Sequence, residues 1–156
     1  MAELRQNTWS VNAWYEQDYA GNASYESTVN QFWAWGLNEY GGLGQGNDTK
    51  YSSPVQVPGT TWSTVGSARQ AVGATKSDGT LWTWGKNHQG QLGLGAQSSK
   101  DSPNQVPGTT WNGGCVGDDV GMFTKSDNTL WTWGNALSGK LGQNNSLPTA
   151  SYFSPR

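Results

Sequence analysis

The hexapeptide Thr80-Leu81-Trp82-Thr83-Trp84-Gly85 returns letter for letter as Thr129-Leu130-Trp131-Thr132-Trp133-Gly134, and a looser copy runs through Gln31-Phe32-Trp33-Ala34-Trp35-Gly36. The leading tryptophans, at 33, 82 and 131, are separated by 49 residues each time. A constant interval of that length demands a chain built from successive copies of one structural unit. Within a copy, alternation at period two sets Trp82 and Trp84 on one face of a strand and Leu81 and Thr83 on the other. The tryptophans of the repeated pairs are therefore read as core: Trp33, Trp35, Trp82, Trp84, Trp131 and Trp133.

Three further landmarks keep the same interval. A glycine-punctuated loop follows each Trp-x-Trp strand: Gly41-Gly42-Leu43-Gly44, Gly90-Gln91-Leu92-Gly93 and Gly139-Lys140-Leu141-Gly142. Its glycines suit positive φ, and Leu43, Leu92 and Leu141 are the apolar plugs. The segments Ser53-Pro54-Val55-Gln56-Val57-Pro58-Gly59 and Ser102-Pro103-Asn104-Gln105-Val106-Pro107-Gly108 come next. Proline lacks the N–H that a central strand must donate, so these read as edge or terminal strands. Lys76-Ser77-Asp78-Gly79 then turns into Thr80, a hairpin pattern repeated with Asp127-Asn128.

Composition agrees with short strands and tight turns. Glycine accounts for 22 of the 156 residues, only 33% are hydrophobic, and 12% are aromatic. Disordered chains combine few aromatics with high net charge, whereas here the net charge is −2. That balance gives no electrostatic draw toward nucleic acid. No apolar run approaches the roughly 20 residues of a membrane span, and none at the N-terminus resembles a secretory leader. The expected state is all-β, with about four short strands per 49 residues, the content of one propeller blade.

The run Gly79-Thr80-Leu81-Trp82-Thr83-Trp84-Gly85-Lys86-Asn87-His88-Gln89-Gly90-Gln91-Leu92-Gly93-Leu94-Gly95 resembles the regulator of chromosome condensation repeat. The likeness lies in the aspartate-glycine turn, the tryptophan-glycine strand end and the glycine-x-leucine-glycine loop, and covers roughly residues 31–155. It implies β-propeller blades. One departure is the family's usual histidine, replaced near Ala71 and Val120, which puts one internal polar tie of the blade in doubt.

Residues 1–30 read as a degenerate half-repeat and docking segment, and residues 31–156 as the propeller repeats. Thr8-Trp9-Ser10-Val11 echoes Thr61-Trp62-Ser63-Thr64-Val65, one residue tighter, while Trp14, Tyr15 and Tyr19 lack later counterparts. The resemblance implies a seven-bladed ring, and three repeats supply about three four-stranded antiparallel blades, an incomplete propeller. Ser154-Pro155 matches Ser53-Pro54 after a three-residue insertion, and the strand equivalent to Val55-Gln56-Val57 is expected to be absent. Open blade faces and strand edges call for partner chains or missing sequence to close them.

Other motifs yield to simpler readings. Gly134-Asn135-Ala136-Leu137-Ser138-Gly139-Lys140 imitates a phosphate-binding loop, but Leu141 stands where Ser or Thr is required and the glycines follow the repeat. Asp118-Asp119 reads as a solvated turn rather than a calcium site. Cys115, the sole cysteine, reads as a buried or inert thiol, and His88, the sole histidine, as an exposed loop residue. Asn22-Ala23-Ser24, Asn47-Asp48-Thr49 and Asn144-Asn145-Ser146 fit the glycosylation pattern at the frequency chance allows.

No catalytic residue, cofactor or metal ligand is assigned, because no acid, base, nucleophile or ligand set converges. Trp14, Tyr15, Tyr40 and Tyr51 escape the core argument and are the candidate contacts for a protein partner or a glycan. The near-identical repeats and aromatic N-terminus are similar to repeat proteins encoded by tailed bacteriophages of aquatic bacteria. That likeness implies a virion surface or tail-appendage protein made in the host cytoplasm, contacting copies of itself, other virion proteins or a host surface glycan. The alternatives are a guanine-nucleotide exchange or chromatin-associated propeller, and a lectin-like module.

Overall fold

Residues 30–144 and 151–156 are described by a computed structural model, and within them the chain runs through ten strands and one short 3-10 turn, Leu137–Gly139. β3 (Trp62–Ala68), β4 (Ala71–Lys76), β5 (Leu81–Gly85) and β6 (Lys100–Val106) pair in order, each antiparallel to the next. β7 (Trp111–Val116), β8 (Val120–Lys125), β9 (Leu130–Asn135) and β10 (Ser151–Tyr152) repeat that order. β1 (Trp33–Gly36) and β2 (Tyr51–Gln56) form an antiparallel pair equivalent to β5 and β6, the outer half of an earlier unit. The two complete units meet edge to edge at one parallel pairing, Ser67 with Val116, between their first strands. One bridge between innermost strands is what blades radiating from an axis produce. The fold is an all-β, incomplete propeller.

Register preserves the repeat. Gly36 faces Tyr51, Gly85 faces Lys100 and Gly134 faces Tyr152, so the third interval carries three additional residues. Of the strand equivalent to Val55-Gln56-Val57, expected to be absent, the first position is occupied by Arg156. Arg156 and Thr132 exchange backbone hydrogen bonds of 3.3 and 3.1 Å, and Arg156 thereby takes the place that Asn104 holds opposite Thr83. Ser151–Tyr152 and Arg156 form the described part of the third blade's outer strand. Pro54 and Pro103 lie within β2 and β6, the outer strands, where a lost N–H breaks no ladder.

The hairpin chemistry is local. Gly79 N–H bonds back to the Lys76 carbonyl at 3.0 Å, and Gly79 itself has φ of +78°, a tight turn closed by a left-handed residue. Asp78 Oδ1 accepts from the Thr80 N–H at 2.9 Å and the Thr80 hydroxyl at 2.6 Å. That hydroxyl accepts in turn from the Trp82 indole at 2.9 Å. Asp127, Thr129 and Trp131 reproduce the chain of bonds. Lys76 and Lys125 each lie over two indole rings, Trp62 with Trp82 and Trp111 with Trp131, at 4.3 to 4.9 Å.

The core lies between blades. Val57, Trp62, Ala74 and Trp84 fill the first junction, with Phe32 and Ala34 of the first blade against them. Leu81, Leu92 and Val106 of the second blade meet Trp111, Val116, Phe123 and Trp133 of the third. Leu81 and Trp84 thus face opposite neighbours, as alternation requires, and both are fully buried.

Among the described residues two β-branched ones sit in the left-handed region, where side-chain crowding costs about 1–2 kcal/mol. Thr61 and Thr110 have φ of +65° and +70°, and their carbonyls accept from Ser77 and Ser126. Both side chains are exposed. Thr110→Asn should therefore raise stability by about 1 kcal/mol, since asparagine tolerates this conformation. Equilibrium urea unfolding checks it, and an unchanged or lower midpoint would speak against strain.

Candidate interaction surfaces

Each junction is one device used twice. The Trp84 indole N–H donates to the Gly42 carbonyl at 2.9 Å, and the Trp133 indole donates to the Gln91 carbonyl at 2.7 Å. In both, the second tryptophan of one blade is tied to the glycine loop of the blade before it. Absent side chains make the seat: a Cβ on Gly44 would stand 3.0 Å from the Trp84 Nε1, and one on Gly93 would stand 2.7 Å from the Trp133 Nε1. The loops also reach forward along the backbone. Gly46 N–H donates to Asp101 at 2.8 Å and Gly95 N–H to Phe153 at 2.7 Å, joining each loop to the outer strand of the next blade.

The loops are held in shape by buried asparagines that sequence reasoning passed over. Asn38 donates to the carbonyls of Asn47 and Thr49 and accepts from the Leu43 N–H, at 2.8, 3.0 and 2.8 Å. Asn87 makes the same three bonds to Ala96, Ser98 and Leu92, at 2.8, 3.1 and 2.9 Å. The third blade has Ala136 at this position, and Asn135, one residue earlier, accepts from the Leu137 N–H at 2.9 Å. The signal available was the recurrence of asparagine two residues after the Trp-x-Trp-Gly glycine. Leu43, Leu92 and Leu141 are all buried.

Charge crosses the second junction. Asp118 of the third blade pairs with Lys86 and Arg69 of the second, each at 3.1 Å, and Asp119 pairs with Lys140. The adjacent carboxylates form a turn neutralised by three cations. The Lys86 ammonium first, and then the Arg69 guanidinium, holds the Asp118 carboxyl below its ordinary value of 3.8. A depressed carboxylate pKa stabilises the folded state above the unfolded value, and that contribution disappears as pH falls through the folded value. Asp118→Asn should therefore lower stability slightly at neutral pH, by at most about 1 kcal/mol for so exposed a pair. Variant and parent should converge below pH 3.8 in thermal melts. A difference that persists in acid would remove the ion pairs as its cause.

The first and third blades each leave one face open among the described residues. Trp33 and Trp35 are 46% and 61% exposed, whereas Trp84 and Trp133 are 0% exposed. The core assignment of Trp33 and Trp35 is thus corrected. A blade tryptophan is buried by the loop of the preceding blade, and no such loop precedes β1 among the described residues. A groove of about 400 Å³ runs beside it, lined by Phe32, Trp35, Tyr40, Arg69 and Val72. Tyr40 sits on its lip, half-buried and edge-on to His88 at 5.2 Å. Tyr51 lies in β2, half-buried, its hydroxyl 3.4 Å from the Asn47 amide. The structure does not bring Tyr40 and Tyr51 into one contact, and Trp14 and Tyr15 lie outside the described residues.

On the far side Leu130 is 63% exposed although its counterpart Leu81 is 0% exposed. Cys115 is exposed, which corrects the buried alternative of the buried-or-inert reading. It stands at the position of Gly66, whose missing side chain lets β7 close over β3, and no further strand covers it among the described residues. His88 is exposed in its loop. Among the described residues no cluster of three or more His, Cys, Asp or Glu could hold a metal.

Radiating four-stranded units joined by a repeated indole-to-loop tie define a propeller-repeat protein. The chain belongs to the regulator of chromosome condensation (RCC1) repeat family, which matches residues 30–70 and 78–116, just over half of its length. A search of curated proteins finds no match. Among solved structures it is similar to human WBSCR16, with 20% identity, a TM-score of 0.66, and coverage of 80% of this chain and 33% of that one. It is also similar to Prp20p from Saccharomyces cerevisiae, with 14% identity, a TM-score of 0.71, and coverage of 81% and 33%. Prp20p has binding properties toward Gsp1p and histones. Yeast RCC1 (Prp20) bound to Kap60 aligns at 15% identity with a TM-score of 0.68, covering 81% of this chain and 32% of that one. This chain spans about a third of the length of each of these structures.

Proposed function

We propose that the chain is a non-enzymatic structural or binding subunit that works through protein–protein contact at its open blade faces. The observation that carries this reading is the exposure of Trp35, 61% against 0% for Trp84 and Trp133 in the same structural place. An apolar surface shaped for a neighbouring blade is a protein-binding surface when no blade covers it. Affinity capture from producing cells, with the parent and Trp35→Asp in parallel, tests it. At least one partner is expected to be lost from the variant, and identical captured sets would refute the reading.

The finer placement is a virion surface or tail-appendage protein, assembled in the host cytoplasm, with Tyr40 and Tyr51 available to a host glycan. It rests on the likeness of near-identical repeats to phage-encoded repeat proteins. Finding the chain in purified particles supports it, and its absence from them removes it. Saturable glycan-array binding lost in Tyr40→Ala would add the carbohydrate role. A second reading takes its support from Prp20p, which is described with Gsp1p and histones. Accelerated nucleotide release from a small GTPase on adding the purified chain would favour that reading over the first.

A further inference from the structure

The two internal junctions define a donor face and an acceptor face, and the unpaired halves of that same junction lie at opposite ends of the described blades. The donor half is on the first blade: Trp35, at the position of Trp84 and Trp133, is exposed. The acceptor half is on the third blade. Lys140 occupies the place of Gly42 and Gln91, the residues whose carbonyls receive the two indoles. Gly142 occupies the place of Gly44 and Gly93, and a Cβ there would meet nothing within 4 Å, whereas theirs would touch an indole. Gly139 repeats the pattern. A Cβ at Gly41 or Gly90 would press on Asp101 or Phe153 of the following blade, and one at Gly139 would meet nothing. Leu130, on the same open side as these seats, is the exposed counterpart of buried Leu81.

We propose that a second copy of this chain docks head to tail, the first blade of one copy against the third blade of the other. The inference rests on the reading that the open faces bind protein, and it names the protein. The Trp35 indole of one copy donates to the Lys140 carbonyl of the other and sits over Gly142. By the same equivalence Asn144 N–H, which stands where Gly46 and Gly95 stand, donates to the Ser52 carbonyl of the second copy. Leu130 is covered as Leu81 is. The match is confined to the outer part of the blades. Near the axis Cys115 replaces Gly66, where a Cβ would already lie 2.2 Å from the Gly114 carbonyl of the next strand. No described strand of the first blade stands opposite β7, so the docking concerns the outer part of the blades alone. A contact between unlike faces either closes into a ring or continues as a filament.

Unlike faces give a test that no like-with-like contact can imitate. Trp35→Asp spoils only the donor face and Leu130→Asp only the acceptor face, and both sites are exposed, so neither change disturbs the core of its own chain. Light scattering on the parent at micromolar concentration should show at least twice the 16.8 kDa of one chain. Each variant alone should associate at least about tenfold more weakly, because every junction then has one spoiled half. An equimolar mixture of the two variants should recover a complex of one copy of each, joined through the remaining good halves. A parent of 16.8 kDa overturns the proposal, as does either variant associating like the parent, or a mixture that stays monomeric. A monomeric parent whose captured partner is lost in Trp35→Asp would sink the second copy and keep the protein-binding reading; a monomeric parent whose captured set is unchanged would sink both.

Discussion

Trp133→Ala should lower the unfolding free energy by about 3–5 kcal/mol, the range for removing a buried aromatic side chain. The ring is fully buried and stacks on Phe123 with centroids 5.7 Å apart and planes 13° from parallel. Its removal also leaves the Gln91 carbonyl without the indole donor. The vacated space cannot fill easily, because Gly93 and Gly121 border it with no side chain to move inward. Since the ring belongs to the junction rather than to one sheet, the damage should be divided unevenly along the chain. In repeat proteins each unit depends chiefly on its neighbours, so amide exchange should accelerate most in β7, β8 and β9. Uniform acceleration over β3 to β9 would argue against separable blades. Full retention of stability would show that the ring is not where the structure places it.

Asn87→Ala is the second large effect, expected at about 2–4 kcal/mol from a buried amide that makes three hydrogen bonds to backbone groups. The substitution frees two carbonyls, Ala96 and Ser98, and one N–H, Leu92, in a loop whose leucine is fully buried. Aspartate is a useful companion, since it keeps the acceptor for Leu92 and loses both donors. Asn87→Asp should therefore be no better tolerated than alanine, because a carboxylate would be buried against two carbonyls. Chemical denaturation of both variants measures the effect. A loss under about 0.5 kcal/mol, the scale of an ordinary surface change, would mean that the loop does not depend on this side chain. The third blade is a natural control: Ala136 stands there already, and its loop turns through Leu137–Gly139 with Ser138 at φ of +58°. The same substitution has thus been accommodated once, by a different loop path.

Much of this architecture was legible in the residues. The interval between Trp33, Trp82 and Trp131 fixed the unit, alternation assigned Leu81 and Trp84 to opposite faces, and proline placed β2 and β6 at the outside. These features are local, carried by spacing and backbone chemistry. What escaped depends on neighbours. Trp35 has the same surroundings in sequence as Trp84, and only the presence or absence of a preceding loop separates a buried ring from an exposed one. The acceptor for the Trp84 indole is a main-chain carbonyl 42 residues away, which no side-chain pattern announces. Asn87 looked like one more polar loop residue beside His88 and Gln89, although its amide closes the loop from within. Cys115 took its exposure from strand order, since sulfur in a strand of glycines says nothing about which edge is covered. The candidate surface was harder to read than the fold for that reason. An interface is a relation between two repeats, and sequence displays each repeat separately.

The claim beneath all of this is that each blade is locked to the loop of the one before it. Proton NMR on protein labelled with ¹⁵N at tryptophan can read the two ties directly, through nuclear Overhauser contacts from the indole N–H groups. The account predicts contacts from Trp84 to residues 41–44 and from Trp133 to residues 90–93, with slow exchange of both protons. Contacts from Trp133 to its own loop, residues 139–142, or rapid exchange of both indole protons, would contradict it.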